Sequence, residues 1–247
     1  MRLVVLGSCG GYPVAGRACS GYLVEAGQHR LWLDARSGTL SRLFAHWSLA
    51  ELAGVWLTHL HPDHWTDLPL AVHALALGAA ARSVPLPIYG PHGWLSAIGV
   101  QAGSVAGEPL FAAHELRDGM AVDLGSVTVE SLAVEHEIET YGFRVTMGGA
   151  VIAYSADSGP CDALVRLANE ADLFLCEVGT ESEFSRIHLN ARQAGQIASA
   201  ARARMLVLTH LPPGADPASA LDLARTSYAG KIDVAMDGAD YEVKSAR

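Results

Sequence analysis

Short apolar runs, each ended by glycine or by polar turn residues, dominate the first third of the chain. The runs RLVVLG, SGYLVEA and HRLWLDA predict three strands of a β-meander. Residues 37–47 place apolar side chains at helical spacing, and the next run, AGVWLT, predicts a buried strand that ends at the segment THLHPDH. Beyond it, the pattern predicts a helix over residues 66–80, a strand PIYG and a helix over residues 92–100.

The rest of the chain changes from strands to alternating helices and strands. The runs SVTVESLAV, YGFRVTM and AVIAYSA predict strands. Helices are then predicted at PCDALVRLANE, NARQAGQIASAARA and PASALDLARTSYA, strands at DLFLCEV and MLVLTH, and two terminal strands. Two β-rich halves that each carry helices predict an α/β (α+β) fold, a four-layer αββα sandwich. With no internal repeat and no long linker, we expect residues 1–247 to form a single domain.

The chain is acidic, with a formal net charge of -9 and no cluster of Lys and Arg. Proteins that hold a long nucleic acid carry a basic stripe that neutralises several phosphates, so extended RNA or DNA is not an expected partner. The apolar start is too short for a secretory signal, and no apolar stretch is long enough to span a membrane. We therefore expect a cytoplasmic protein without membrane association, whose cysteines are free thiols.

The segment THLHPDH contains the pattern H-x-H-x-D-H, formed by His59, His61, Asp63 and His64 on a predicted strand-to-helix loop. Neutral imidazole and carboxylate are the ligands that borderline divalent metals such as zinc prefer. In an extended backbone, the first two histidines point to the same side and can bind one ion. Asp63 and His64 are then free for a second ion about 3.5 to 4 Å away, as in two-metal hydrolysis.

Three more residues stand just beyond predicted strands, where sheets place functional groups. His136 follows SLAVE, Asp157 follows VIAYSA, and His210 ends MLVLTH. A single His or Asp at such a position is more often a turn or cap residue than a metal ligand. Taken together with the histidine loop, these three residues predict a site for two metal ions.

These motifs resemble those of the metallo-β-lactamase superfamily, whose ordered segments are matched by THLHPDH, VEHEIETYGFRV, AYSADSG and LTHL. The resemblance implies the sandwich of that superfamily and two divalent ions. It implies that the ligands of the first ion are His59, His61 and His136, and that those of the second are Asp63, His64 and His210, with Asp157 bridging the two. Zinc is the expected metal, with manganese or iron as alternatives.

Within the superfamily, the chain is similar to the ribonuclease Z and phosphodiesterase branch, through GSCGGYP, YGFRV and IHLNARQAG. In that branch, the residue matching His188 lies near the scissile phosphate. Two features depart from ribonuclease Z. Leu189 replaces the usual Ser or Thr, and only twenty residues separate His136 from Asp157, where bacterial ribonuclease Z carries its tRNA-gripping arm. The order of YSADSG, FLCE, HLNARQAG and LTHLPPG is similar to the atypical bacterial cyclic nucleotide phosphodiesterases.

We therefore expect a phosphodiesterase that cleaves a small phosphodiester, such as a cyclic nucleotide, with a hydroxide shared by two cations. Asp63 would orient the hydroxide, and His188, just before the predicted helix N-cap Asn190, would protonate the leaving oxygen or stabilise the developing charge. The alternatives are ribonuclease Z-like cleavage of tRNA 3' ends, hydrolysis of a lactone or thioester, and a non-catalytic binding module.

The resemblance also implies a homodimer. The apolar stretches over residues 43–56 and 68–81 are candidate interfaces, although the same residues are equally explained as core.

Overall fold

The structure, a computed structural model, describes residues 1–78, 82–99, 104–105 and 108–245. Its strands are, in chain order, β1 (Arg2–Gly7), β2 (Gly21–Ala26), β3 (His29–Leu33), β4 (Gly54–Trp56), β5 (Leu86–Gly90), β6 (Ser104–Val105), β7 (Glu108–Pro109), β8 (Phe111–Glu115), β9 (Met120–Asp123), β10 (Thr128–Ala133), β11 (Tyr141–Met147), β12 (Ala150–Tyr154), β13 (Leu173–Glu177), β14 (Met205–Thr209), β15 (Lys231–Val234) and β16 (Asp240–Glu242). Its α-helices are α1 (Thr39–Leu43), α2 (Leu68–Ala76), α3 (Trp94–Ile98), α4 (Asp162–Leu167), α5 (Ala191–Ala200) and α6 (Pro217–Arg225). Short 3-10 helices span Leu49–Glu51 and Pro62–His64.

Most of the strands form two seven-stranded mixed sheets. The first has the order β16-β1-β2-β3-β4-β5-β8, and the second has the order β15-β14-β13-β12-β11-β10-β9. In the first sheet, β3, β4, β5 and β8 run parallel, and in the second, β12 to β15 do so. The C-terminal strand β16 pairs antiparallel with β1, so the last strand of the chain completes the sheet of the N-terminal half.

Three apolar clusters separate the four layers. The cluster between the two sheets contains Leu3 and Val5 from β1 together with Phe143 from β11. The cluster between the first sheet and helices α1 to α3 contains Val4 and Leu6. Successive residues of β1 therefore face opposite layers, which explains why its apolar run does not alternate with polar residues. A third cluster packs α4, α5 and α6 on the second sheet. The predicted αββα sandwich is confirmed.

The predicted helices are shorter in the structure than in the sequence pattern. The one predicted over residues 217–229 ends at Arg225, where the hydroxyls of Thr226 and Ser227 donate to the carbonyls of Leu223 and Ala224 and compete with further helical bonds.

The helix predicted over residues 37–47 is reduced to α1, and those predicted over 66–80 and 92–100 end at Ala76 and Ile98. Residues 79, 80 and 100 of those predictions lie outside the described residues.

The segment between His136 and Asp157 is a tight hairpin. Strands β11 and β12 pair in register from Phe143 with Tyr154 to Met147 with Ala150. Gly148 and Gly149 close the turn, both at positive φ, 55° and 82°, as a two-residue hairpin turn requires. The segment thus forms a short connection and carries no projecting arm.

None of the helices among the described residues is long and apolar enough to cross a membrane. The apolar stretches that were candidate interfaces contribute buried residues to the cluster under α1 to α3, among them Leu43 and Leu68, and leave Leu70 and Leu77 exposed. Homodimerisation and the assignment of residues 1–247 to one domain both stay predictions.

Candidate metal centre

The predicted metal ligands lie where the carboxyl ends of strands from both sheets come together, the usual place for functional groups in such sheets. In the first sheet, β3 leads into Asp34 and Arg36, and β4 leads into the histidine loop. In the second sheet, β12 leads into Asp157 and β14 leads into His210. Hydrogen bonds from Arg36 to Asp157 and to His210 connect the two sheets at this point.

The histidine loop folds back on itself because Pro62 begins a 3-10 helix directly after His61. The fixed φ of proline suits the first position of a helix, and its missing N–H costs nothing there. The turn brings His64 back over His59, with ring centroids 3.6 Å apart. All four residues of the motif therefore lie close together.

The first cluster consists of His59, His61 and His136. Nε2 of His59 and Nε2 of His136 lie 3.0 and 3.2 Å from Nδ1 of His61. Nitrogens bound about 2.0 to 2.1 Å from a tetrahedral zinc ion are about 3.3 Å apart, so this spacing fits one ion. The outer nitrogens of these rings face acceptors, namely Thr58 Oγ1 at 2.9 Å from His59, Glu137 Oε1 at 3.0 Å from His61 and the Ile187 carbonyl at 2.8 Å from His136. Such acceptors keep the proton on the outer nitrogen and leave the inner one free for a metal.

The second cluster consists of Asp63, His64, His210 and Asp157. Oδ2 of Asp157 lies 3.3 Å from Nε2 of His64 and 3.1 Å from Nε2 of His210, and Nε2 of His64 lies 3.5 Å from Oδ2 of Asp63. Within the part of the chain that the structure describes, buried Nε2 of His64 has no hydrogen-bond partner. Because buried polar atoms are nearly always satisfied, an orphaned nitrogen between two carboxylates fits a metal ligand.

The electrostatics of the first cluster and of Asp157 favour the forms that bind metals. Burial lowers the pKa of His59 well below its usual value, with the nearby His64 adding to the effect, and burial also lowers the pKa of His136. Burial opposes ionisation of Asp157, but His210, His64 and Arg36 outweigh it and hold the pKa of this carboxyl well below its usual range. Neutral imidazoles and an ionised carboxylate are the states that ligate divalent cations. His64 differs: burial and Arg36 favour its neutral form, but Asp157 and Asp34 outweigh them and raise its pKa.

Asp34 and Arg36, in the segment LDARSG after β3, lie in the site but were not predicted from the sequence. Oδ1 of Asp34 accepts hydrogen bonds from the backbone N–H of Thr58 at 2.8 Å and from its hydroxyl at 3.0 Å. Arg36 is fully buried and its guanidinium reaches Asp63, Asp157 and the outer nitrogens of His64 and His210. The sequence feature that could have indicated them is a pair of charged residues directly after an apolar strand that is predicted to be buried.

Among the described residues, three of the five non-glycine residues with positive φ lie at the site. Asp34, Ala156 and His210 take positive φ values of 60°, 58° and 59°, in the left-handed region that residues with a Cβ rarely adopt. Each of them immediately adjoins or belongs to the clusters. Such residues cost free energy and concentrate at functional sites, where surrounding contacts hold them.

His188 lies beside both clusters. Its ring centroid is 5.1 Å from that of His136 and 6.0 Å from that of His210. Its Nδ1 is 3.0 Å from Oε1 of the fully buried Glu177 at the end of β13. Burial lowers the pKa of His188, but the hydrogen bond and charge of Glu177 outweigh it and raise the pKa to about 9. The raised pKa favours the protonated ring, whose Nε2–H is then available as a donor.

The carboxylate of Glu177 is itself fixed by backbone donors. It accepts hydrogen bonds from the N–H groups of Ser158 at 3.0 Å, of Leu189 at 3.2 Å and of Gly179. Asn190 caps helix α5 in a capping box with Gln193, as the sequence predicted for the N-cap, and so anchors the loop that carries His188. Glu177, the last residue of FLCE, was not predicted to belong to the site.

The structure thus brings together all of the predicted site residues: His59, His61, Asp63, His64, His136, Asp157, His188 and His210. Groups of them offer ligand atoms within 4.8 Å of one another, which suits divalent metal binding. The identity of the metal does not follow from this donor set, since histidine and carboxylate accept several ions.

Comparison with known proteins agrees with the geometry. Residues 19–211 match the family model described as the beta-lactamase superfamily domain. The chain is 30% identical to a probable metallo-hydrolase of Bacillus subtilis, YhfI, over 98% of this chain and 100% of that protein. The crystal structure of the metallo-beta-lactamase fold protein YhfI superposes with a TM-score of 0.88 at 29% identity, covering 98% of this chain and 99% of that one.

A ribonuclease Z of Mycobacterium bovis is 30% identical over the full length of both chains. The fold, the clustered histidines and these similarities lead to one assignment. The chain belongs to the metallo-β-lactamase superfamily and is a metallo-hydrolase of that fold.

Proposed function

We propose that the chain is a phosphodiesterase that cleaves small phosphodiesters, cyclic nucleotides among them. Two divalent cations would be held by His59, His61 and His136 and by Asp63, His64 and His210, with Asp157 between them. When bound, these ions supply Lewis-acid polarisation of the phosphoryl group and lower the pKa of a water nucleophile. Zinc is the metal proposed first, with manganese or iron as alternatives.

The observation that carries the proposal is the pair of His188 and Glu177. Nδ1 of His188 is hydrogen-bonded to the Glu177 carboxylate, which leaves Nε2–H as the remaining donor of the ring. The ring itself is half-buried beside His136. Cleavage of a phosphodiester leaves an alkoxide, which needs a proton, and places negative charge on the phosphoryl oxygens. A protonated imidazole at this position can give a proton to the alkoxide and can stabilise the negative charge on the phosphoryl oxygens.

Asp63 has the complementary role of an acceptor. Its Oδ2 lies 3.2 Å from Arg36 and 3.5 Å from His64, and its side chain keeps 16% of its surface exposed. The carboxylate is thus held at one side while still accessible from the site. We assign to it the acceptance of a hydrogen bond from the attacking water, which orients the nucleophile.

The short hairpin and the acidic charge support a small substrate over tRNA. The connection from His136 to Asp157 has only the Gly148–Gly149 turn between its strands, and the chain carries a net charge of -9. A protein that grips tRNA neutralises several phosphates with basic side chains. A cyclic nucleotide or another compact diester presents only one or two phosphates.

The test is hydrolysis of bis-p-nitrophenyl phosphate and cyclic AMP by zinc- or manganese-loaded protein, with a precursor tRNA, a lactone and a thioester tested in parallel. His188→Ala and Asp63→Ala are compared with His92→Ala. The control histidine also faces a carboxylate at 3.0 Å, that of Glu115, but its side chain is 80% exposed.

We expect the wild type and His92→Ala to cleave the small diesters, and the two site variants to lose about 10²- to 10⁴-fold in rate, the range of a lost acid–base group. Turnover of only tRNA, lactone or thioester would contradict the proposed substrate class. No turnover by metal-loaded protein would favour a binding module instead.

A further inference from the structure

The second cluster contains a positive charge of its own. Arg36 is 0% exposed, and its Nη1 lies 3.2 Å from Oδ2 of Asp63 and 2.8 Å from Nδ1 of His210. Its Nη2 lies 3.1 Å from Oδ1 of Asp157 and within hydrogen-bond distance of Nδ1 of His64. One guanidinium therefore contacts every residue proposed to bind the second ion.

The hydrogen-bond chemistry at the outer nitrogens distinguishes the two clusters. A histidine that binds metal through one nitrogen normally donates the N–H of the other to an acceptor. In the first cluster, a hydroxyl, a carboxylate and a carbonyl occupy these positions. In the second, the outer nitrogens of His64 and His210 face Arg36, which has donors only.

This arrangement opposes metal binding through the tautomer of the ring. A neutral imidazole whose Nδ1 accepts a hydrogen bond from Arg36 carries its proton on Nε2, the atom that faces the carboxylates of the cluster. For His64, Oγ1 of Thr58 at 3.0 Å and Oδ2 of Asp34 at 3.1 Å compete as acceptors for an Nδ1 proton. For His210, the other polar neighbour is the hydroxyl of Ser20 at 3.2 Å.

The charges act in the same direction. Arg36 forms ion pairs with Asp63 and Asp157, the two carboxylates that would offset the charge of a second ion. A divalent cation held by these carboxylates would share a buried site with the guanidinium, where screening by water is weak. The second ion therefore competes with a cation that the chain already supplies.

We propose that the two cation sites are unequal, because the guanidinium of Arg36 serves as a built-in cation at the second one. The chain then holds one divalent ion tightly on His59, His61 and His136, and a second one much more weakly on the cluster around Asp157. The inference uses the ligands of the proposed function but does not depend on the substrate.

The experiment is a calorimetric titration of chelator-treated protein with Zn²⁺ and, separately, with Mn²⁺, with metal content measured after desalting. For the wild type, we expect one tight equivalent and a second that is weaker by about 10- to 100-fold, the range that outer hydrogen-bond partners of ligand histidines contribute. In Arg36→Gln, the second equivalent tightens by a similar factor and the first does not change. Arg42→Gln, which removes a partly exposed arginine paired with Asp237 at 3.1 Å, is the control and should match the wild type.

His210→Ala provides a second variant in case Arg36→Gln does not fold, and we expect it to lose the weak equivalent and keep the tight one. Two equal equivalents in the wild type, or an unchanged second equivalent in folded Arg36→Gln, would overturn the inference. Unequal binding of the two ions without diester hydrolysis would support this inference and contradict the proposed function. Diester hydrolysis with two equally bound ions would support the proposed function and contradict this inference.

Discussion

Replacing Glu177 by Gln tests whether this carboxylate is what keeps His188 protonated. The ordinary pKa of histidine is 6.5, and in the folded protein that of His188 is raised to about 9. At about 1.4 kcal/mol for each tenfold change in proton affinity, the rise corresponds to about 3 kcal/mol in favour of the protonated ring. The ring is 26% exposed, so solvent screening makes this value an upper bound.

The sign of the pH dependence follows from the direction of the pKa change. Between pH 6.5 and 9, the folded chain holds a proton on His188 that the unfolded chain has lost. The contribution to the free energy of unfolding is therefore complete below pH 6.5, and it is lost as the pH rises through 9. Without the carboxylate, burial is opposed only by the charges of Asp157 and Glu137, so the pKa of His188 falls and this loss moves to lower pH.

The assay is an NMR titration of the His188 ring in metal-free protein, paired with urea unfolding between pH 6 and 10. We expect the ring to titrate near pH 9 in the wild type and at a clearly lower pH in Glu177→Gln. Glu115→Gln removes the carboxylate of the surface pair with His92, which has the same 3.0 Å separation, and should leave the His188 titration unchanged. A wild-type ring that titrates near 6.5, or an unchanged titration in folded Glu177→Gln, would refute the reasoning.

Three further predictions concern the metal and the core. Removing metal with a chelator should lower the melting temperature, because an ion present at about 1,000 times its Kd stabilises the folded state by about 4 kcal/mol. A melting temperature that calorimetry finds unchanged by the chelator would contradict this prediction. His136→Ala should abolish the tight metal equivalent in a metal-content measurement, because it removes one of three close nitrogens. Phe143→Ala, in the fully buried cluster between the sheets, should cost about 3 to 5 kcal/mol in urea unfolding. Phe184→Ala, at a side chain that is 90% exposed, should change stability by less than about 0.5 kcal/mol.

The strands and the metal motif were predictable because their signals are local. An uninterrupted apolar run such as RLVVLG is typical of a strand that is covered on both faces, and H-x-H-x-D-H collects four candidate ligands of two types within six residues. Helix ends were less predictable. The pattern of apolar residues continues past Arg225 to Tyr228, which is buried and donates its hydroxyl to the carbonyl of Ala203, although the helix has already ended.

The partners of the ligands were not predictable in the same way, since they come from distant parts of the chain. Glu177 lies 11 residues before His188, and Asp34 and Arg36 lie 30 and 28 residues before His64. No spacing rule connects such positions. Asp34 and Arg36 come close to His64 because β3 pairs with β4. Glu177 comes close to His188 because the loop after β13 folds back over the end of that strand, where the Leu189 N–H donates to the Glu177 carboxylate.

The same topology gives the second cluster a hydrogen-bond partner, Arg36, that the first cluster lacks, although the hydroxyl of Thr58 lies 2.9 Å from His59 and 3.0 Å from His64. The acceptors of the first cluster come from Thr58, Glu137 and Ile187, which lie beside the ligands or on the loop that carries His188. The outer nitrogens of the second cluster are met by Arg36, from the end of β3. A substitution at position 36 therefore changes the hydrogen-bond partners of the second cluster while leaving those of the first in place. The affinity for a second ion can thus vary through one residue that is not itself a ligand.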